Sequence, residues 1–143
     1  MRHYPVFLDL QGRRALVAGA GKVALRKTLG LVDAGALVTV VAPEIRDEFA
    51  DLPVRLVRRR FRASDLAGAA LVFAATNDRA VNRRIGLAAK RLGLFANIAD
   101  AGAECTFLVP ARVERGPVQL AISTGGKNPR LAAAMRRKIE AAL

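Results

Sequence analysis

Residues 15–24 read Ala-Leu-Val-Ala-Gly-Ala-Gly-Lys-Val-Ala, an apolar strand that runs directly into a glycine turn. The spacing Gly19-x-Gly21-x-x-Ala24 is typical of loops that bind the pyrophosphate of a dinucleotide. Gly19 permits a tight turn, Gly21 keeps a side chain out of the path of the phosphates, and Ala24 lets the next helix pack closely. The stretch predicts a nucleotide site at the start of a helix over residues 22–34. The alternative interpretation is a purely structural strand-to-helix turn.

The rest of the N-terminal portion repeats this alternation of strands and helices. We predict further strands over 37–42, 54–57, 71–75 and 95–99, a helical turn around 65–68 and a second helix over 79–92. Strands that alternate with helices form parallel sheets covered on both faces. The sequence therefore predicts an α/β fold with a Rossmann-type parallel sheet.

The C-terminal portion has a different pattern. Residues 106–113 and 118–123 flank a turn at 114–117, which predicts an antiparallel pair of strands. Asn128 and Pro129 then begin a helix that carries an apolar stripe of Leu131, Met135, Ile139 and Leu143. We predict an NAD-binding Rossmann domain over residues 1–105, and a segment over 106–143 that forms a dimer and encloses the substrate.

Charge is the strongest compositional signal. The chain of 143 residues carries 24 Lys and Arg against 12 Asp and Glu, a net charge of +12. Such a field attracts nucleic acid, an anionic membrane surface or a polycarboxylate small molecule. Single-strand binders usually add stacking aromatics, and this chain has no Trp and one Tyr, which disfavours nucleic acid. No stretch approaches the roughly 20 apolar residues of a membrane span, so we expect no membrane partner.

Cysteine and histidine usage excludes several kinds of site. Cys105 and His3 are each the only residue of their type, so neither an intrachain disulfide nor a Cys/His metal site is expected. A free cysteine agrees with a reducing compartment, and residues 1–5 are not followed by a signal-peptide pattern. We therefore expect a cytoplasmic protein without a bound metal.

Ligands of open α/β sheets bind beyond the carboxyl ends of the strands. The residues at those ends are the glycine loop with Lys22 and Val23, then Pro43 and Glu44, then Thr76, Asn77 and Asp78, and finally Asp100. An acidic residue at the tip of the second strand selects NAD over NADP, and Glu44 is the candidate for that role. The alternatives are a solvent-facing turn for Glu44 and a helix or turn cap for Asp100.

A second glycine-rich stretch precedes the C-terminal helix. Ser123, Thr124, Gly125 and Lys127 are candidates for binding an anionic substrate at this helix start. The alternative is a helix cap with a flexible hinge. A nucleoside-triphosphate loop is excluded, because Asn128 replaces the required Ser or Thr and Ala121 replaces the first glycine.

Five blocks in this order resemble the precorrin-2 dehydrogenase module of siroheme synthases. They are residues 4–8, the loop 19–24 with Arg26 and Lys27, residues 75–78 with Asn82, residues 97–101, and residues 121–129. The resemblance covers essentially the whole chain. It implies a homodimer that oxidises precorrin-2 to sirohydrochlorin with NAD, in siroheme or cobalamin biosynthesis. In some members, iron insertion by a sirohydrochlorin ferrochelatase activity follows.

The resemblance also assigns site residues. It makes Asp100 the catalytic residue and puts cofactor contacts on Lys22, Val23, Pro43 and Glu44. The residues agree with it at two points: a polycarboxylate tetrapyrrole suits the positive charge, and an ionised Asp100 is able to accept a proton during oxidation. Two alternatives stay open, namely an NAD-sensing regulatory domain without turnover and a basic nucleic-acid-binding module.

Overall fold

The computed structural model describes residues 3–143, and five strands of its N-terminal unit form a parallel sheet of order β3-β2-β1-β4-β5. The strands are β1 (Arg14–Ala18), β2 (Leu37–Val41), β3 (Arg55–Val57), β4 (Leu71–Ala74) and β5 (Phe95–Ile98). The strand order reverses at β1, which lies between β2 and β4. This arrangement confirms the predicted Rossmann-type α/β fold and places the switch point next to the glycine loop.

Two helices cover opposite faces of the sheet. Helix α1 (Lys22–Asp33) buries Ala24, Thr28 and Leu31, and the two apolar ones lie in the cluster that contains Val17, Val40 and Phe73. Helix α2 (Arg79–Arg91) buries Asn82, Ile85 and Ala89, and the two apolar ones lie in the cluster with Leu16 and Val72. Both helices lie within one residue of the predicted bounds at each end. Short 3₁₀ helices over Asp47–Phe49, Ala63–Leu66 and Gly102–Glu104 complete the connections.

The C-terminal unit is a hairpin with a helix. Strands β6 (Ala111–Arg115) and β7 (Val118–Ile122) pair antiparallel, with Ala111 opposite Ile122. Helix α3 (Pro129–Ala142) contacts both strands and buries Ala132. Asn128 caps this helix as predicted, since its side-chain oxygen accepts a hydrogen bond from Leu131 N at 2.9 Å.

The start of the predicted hairpin is corrected by the structure. Residues 106–110 are not part of β6, because Thr106 instead bonds to β5: its N–H donates to Ala96 O, and its Oγ1 accepts from Ala96 N. Pro110 has no N–H to donate to a ladder. The pairing of Thr106 with β5 and the missing N–H of Pro110 thus make β6 begin later than the sequence predicts.

The chain divides into two compact units after Phe107. One unit comprises residues 7–107, and residues 3–6 group with 108–143 in the other. The roles predicted for the two segments stay predictions. Within residues 3–143, no helix is long and apolar enough to span a membrane.

Candidate cofactor and catalytic site

A cavity of about 1210 Å³ lies at the carboxyl ends of β1, β2 and β4. It exceeds the volumes of about 300–1000 Å³ that accommodate drug-sized ligands, so it has room for a larger molecule. All eight residues predicted as cofactor contacts line it: Gly19, Gly21, Lys22, Val23, Pro43, Glu44, Thr76 and Asn77. The fold therefore brings these three separate sequence segments to one cavity, and their contact with a cofactor remains a prediction.

Gly19 is a glycine because the protein itself requires one. Its φ is +107°, which disfavours any residue with a Cβ, and a Cβ built there would lie 2.3 Å from Ala75 O. Its N–H donates to Val41 O at 2.9 Å, and Ala75 N donates to Ala18 O at 2.8 Å. The turn out of β1 is thus pressed between the ends of its two neighbouring strands.

Gly21 is a glycine for a different reason. Its φ is −87°, an ordinary value for any residue, and a Cβ built there would meet no atom within 4 Å. Neither backbone conformation nor protein packing explains the missing side chain. The open space lies in the lining of the cavity, where a closely approaching ligand would explain it.

The start of α1 provides donors for an anion. Gly21 is the N-cap, no side chain caps the helix within the described residues, and its first turn contains no acidic residue. The first N–H groups of an α-helix have no intrahelical partner, and the helix dipole adds positive potential there. This uncapped helix start beside Gly21 fits the pyrophosphate of a dinucleotide.

The charges that line the cavity also favour an anionic ligand. Four cationic side chains face two carboxylates: Lys22, Arg46, Arg60 and Arg84 against Glu44 and Asp78. Arg46 Nη2 donates a hydrogen bond to Glu48 Oε1 at 2.6 Å, and this bond holds the pKa of the Glu48 carboxyl below its usual range. Glu44 lies three residues beyond the end of β2, and its role in selecting NAD remains a prediction.

The loop after β4 is held by a buried asparagine. Asn82 Oδ1 accepts from Thr76 N at 3.1 Å and from Thr76 Oγ1 at 2.6 Å, and its Nδ2 donates to Thr76 O at 3.1 Å. Asp78 caps α2 by accepting from the N–H groups of Ala80 and Val81. Thr76 is therefore fixed at the wall of the cavity by three hydrogen bonds to one side chain.

Sequence reasoning gave no role to Asn82, although a signal was available. Asn82 lies on the face of α2 that also buries Ile85 and Ala89, at positions i+3 and i+7. A polar residue in such a stripe requires hydrogen-bond partners, which identifies it as a residue that organises its surroundings.

Arg60 and Phe61 also line the cavity, and they were not predicted from the sequence. They follow the carboxyl end of β3, which is where ligands of such sheets bind.

Asp100 lies in the turn after β5, at the same edge of the sheet, and is not among the residues that line the cavity. Its Oδ1 lies 3.8 Å from Nη1 of Arg79, whose Nη2 also pairs with Glu104. The Asp100 side chain is 39% exposed, so a substrate is able to reach its carboxylate. The predicted catalytic role is chemically possible there and stays a prediction.

The predicted substrate residues Ser123, Thr124, Gly125 and Lys127 lie in the C-terminal unit between β7 and α3. Thr124 Oγ1 donates to Asn128 O at 3.0 Å and accepts from Asn128 N at 3.1 Å. Gly125 N donates to Ser123 Oγ at 3.1 Å. Both hydroxyls thus help to fold the turn that leads into α3, and contact with a substrate remains a prediction.

Metal-ligating side chains do not cluster in the part of the chain that the structure describes. No group of three or more His, Cys, Asp or Glu residues between positions 3 and 143 is arranged to hold a metal ion. The single Cys105 instead accepts a hydrogen bond from Ile98 N through its Sγ at 3.1 Å.

Comparison with known families divides the chain in two. Residues 6–111 match the profile described as putative NAD(P)-binding. Residues 115–142 match the profile described as the central part of the sirohaem biosynthesis protein.

Individual relatives agree with both matches. The siroheme synthase of Ectopseudomonas mendocina (strain ymp) is 48% identical over 142 residues, covering 98% of this chain and 31% of that protein. The siroheme synthase of Pseudomonas entomophila (strain L48) is 44% identical, covering 99% of this chain and again 31% of the relative. Among solved structures, the precorrin-2 dehydrogenase SirC superposes with a TM-score of 0.87 at 34% identity, over 99% of this chain and 71% of SirC. The chain thus spans about a third of these siroheme synthases and most of SirC.

Proposed function

Because the chain belongs to the family of NAD(P)-binding domains that includes siroheme synthase and SirC, we propose that it oxidises precorrin-2 to sirohydrochlorin with NAD in siroheme biosynthesis. The observation that carries the proposal is Gly21. The protein's own backbone and packing tolerate a side chain there, so a ligand pressed against the loop best explains the glycine.

The residues of the chain divide the work between binding and chemistry. The N–H groups at the start of α1 would hold the cofactor's pyrophosphate, and Glu44 would bind the adenosine ribose. NAD supplies a hydride acceptor when bound. Oxidation also releases a proton from the substrate, and the Asp100 carboxylate would accept it at an oxygen atom.

Asp100→Ala separates these two tasks. We expect turnover to fall by about 10²- to 10⁴-fold, as is typical for the loss of a positioned acid–base group, while NAD affinity stays nearly intact. Anaerobic turnover and calorimetric titration with NAD would measure both. Asp33→Ala at the far end of α1 removes an exposed carboxylate and should change neither. Full activity in folded Asp100→Ala would remove Asp100 from the mechanism and direct attention to Asp78 and Glu104.

We also propose that the protein acts as a homodimer in the cytoplasm. Leu131, Met135 and Leu143 of the apolar stripe on α3 stay 41–50% exposed, so a second copy would bury them. The single cysteine is compatible with a reducing compartment.

A further inference from the structure

Arg79 lies between two carboxylates that come from a distant part of the sequence. It is the first residue of α2, and its guanidinium pairs with Glu104 through Nη2 while Nη1 lies 3.8 Å from Asp100 Oδ1. Both carboxylates belong to the loop that follows β5. One arginine therefore joins the start of α2 to the turn that carries the proposed catalytic residue.

The helix itself does not need this arginine. A cation at a helix N-terminus is disfavoured by the dipole, because the first turn already carries positive potential. Asp78 supplies the cap by accepting from Ala80 N and Val81 N. The partners of Arg79 in the loop after β5 thus account for its placement better than helix stability does.

The backbone of that loop is already fixed without Arg79. Ala101 N donates to Ile98 O at 3.2 Å, Glu104 N donates to Ala101 O at 2.9 Å, and Cys105 N donates to Gly102 O at 3.2 Å. None of these bonds orients the Asp100 side chain. Within residues 3–143, Arg79 is the only cationic partner of that carboxylate.

We propose that Arg79 is a positioning residue, anchored by Glu104, that orients the Asp100 carboxylate for proton acceptance. This inference rests on the proposed function. At 3.8 Å the contact is longer than a hydrogen bond, so the carboxylate oxygens keep their lone pairs for the substrate. The three side chains are 35–44% exposed, and ion pairs of that kind add little to stability, so the effect falls on turnover.

Arg79→Met tests the role directly. We expect kcat to fall by about 10- to 100-fold, the cost of misplacing a reacting group, with the KM for NAD unchanged. Arg79→Lys keeps the positive charge but not the planar guanidinium that contacts both carboxylates, so it should recover part of the loss in kcat. The matched control is Arg83→Met, which removes the same charge from an exposed position one turn along α2 and should stay within about twofold of wild type.

A double-variant cycle distinguishes positioning from a general structural effect. If Arg79 acts through Asp100, adding Arg79→Met to Asp100→Ala costs nothing further. An equal loss in both backgrounds, or full activity in Arg79→Met, overturns the positioning role. Wild-type turnover in Asp100→Ala overturns the catalytic assignment instead, so the two failures are distinguishable.

Amide hydrogen exchange supplies a readout that is independent of turnover. We expect exchange at Ala101, Glu104 and Cys105 to stay unchanged in Arg79→Met and in Arg83→Met, because backbone hydrogen bonds hold these amides without Arg79. Accelerated exchange at these amides in Arg79→Met would overturn the positioning role, because it would show that the arginine holds the loop itself, and this readout does not depend on dehydrogenase activity.

Discussion

Gly19 and Gly21 belong to one loop, but the protein's packing requires only the first. A side chain at position 19 would collide with Ala75 O, whereas one at position 21 would occupy open space. The sequence motif assigns the tight turn to Gly19 and the close approach of phosphates to Gly21. The space around each residue agrees with that division and makes the loop a test of the cofactor assignment.

We predict opposite outcomes for two substitutions in this loop. Gly21→Val should abolish measurable NAD binding while the free energy of unfolding changes by about 1 kcal/mol or less, since the N-cap position tolerates a modest loss. Gly19→Val should destabilise the fold by at least about 3 kcal/mol through strain and overpacking. Calorimetric titration and urea unfolding would measure the two effects, and unchanged NAD affinity in Gly21→Val would refute the cofactor assignment.

The pair Arg59–Asp65 gives a prediction for stability against pH. The two side chains form two hydrogen bonds at 2.9 and 2.6 Å, and the Arg59 guanidinium holds the pKa of Asp65 below its ordinary value. A lowered folded-state pKa stabilises the protein above the unfolded pKa of about 3.9. That stabilisation is lost as the pH falls through the folded-state pKa.

Asp65→Asn should therefore destabilise the protein at neutral pH, because it weakens a charged pair that is only partly exposed. The difference from wild type should shrink as the pH falls below about 4. Urea unfolding at several pH values would measure it, with exposed Asp51→Asn as the control. A difference independent of pH would contradict the assigned role of the pair.

Contacts between distant residues set the limit of prediction at this scale. The gathering of the eight cofactor candidates at one cavity could be predicted, because the segments that carry them follow strand ends in a known pattern. The bridge from Arg79 to Glu104 could not, because it joins residues 25 positions apart whose spacing carries no periodic signal. The burial of Asn82 was predictable from its position in the apolar stripe of α2, whereas its partner Thr76 was not.

At the scale of elements, hydrophobic periodicity predicted every strand of the parallel sheet and both of its helices. Each lies close to its expected bounds, because buried strands and amphipathic helices carry strong local patterns. The predicted start of the hairpin was wrong. The pattern of residues 106 and 107 is typical of a strand, but the two residues pair and pack with the parallel sheet. Thr106 bonds to Ala96, and the Phe107 ring lies edge-on to Phe73 at 5.4 Å.

The exposed stripe on α3 predicts self-association. We expect sedimentation to give a dimer at micromolar concentration, and Met135→Glu to shift it towards monomer by placing a charge in an apolar contact. Leu87→Glu, at a similarly exposed apolar position on α2, should leave the dimer unchanged. A wild-type monomer at that concentration would contradict the proposal.

At the scale of the whole molecule, the dominant property is the net charge of +12. This field suits a polycarboxylate substrate, and salt screens it over a Debye length of about 8 Å at physiological ionic strength. The sequence predicts the sign of the field directly. The residues of the binding site determine which anion the protein binds.

We predict that added salt weakens capture of the tetrapyrrole, seen as a rise in its KM, while affinity for nonspecific duplex DNA stays in the range of about 10⁻⁴ to 10⁻⁶ M at physiological salt. Fluorescence anisotropy with a labelled duplex would measure the latter. Nanomolar DNA binding at that salt would favour a nucleic-acid-binding module instead.

Anaerobic incubation of precorrin-2 and NAD with the protein tests the central claim most directly. We predict that the sirohydrochlorin spectrum appears together with one NADH per product, and that neither appears with Gly21→Val or without NAD. Binding of NAD with no sirohydrochlorin formed would contradict the account and identify a nucleotide-sensing domain.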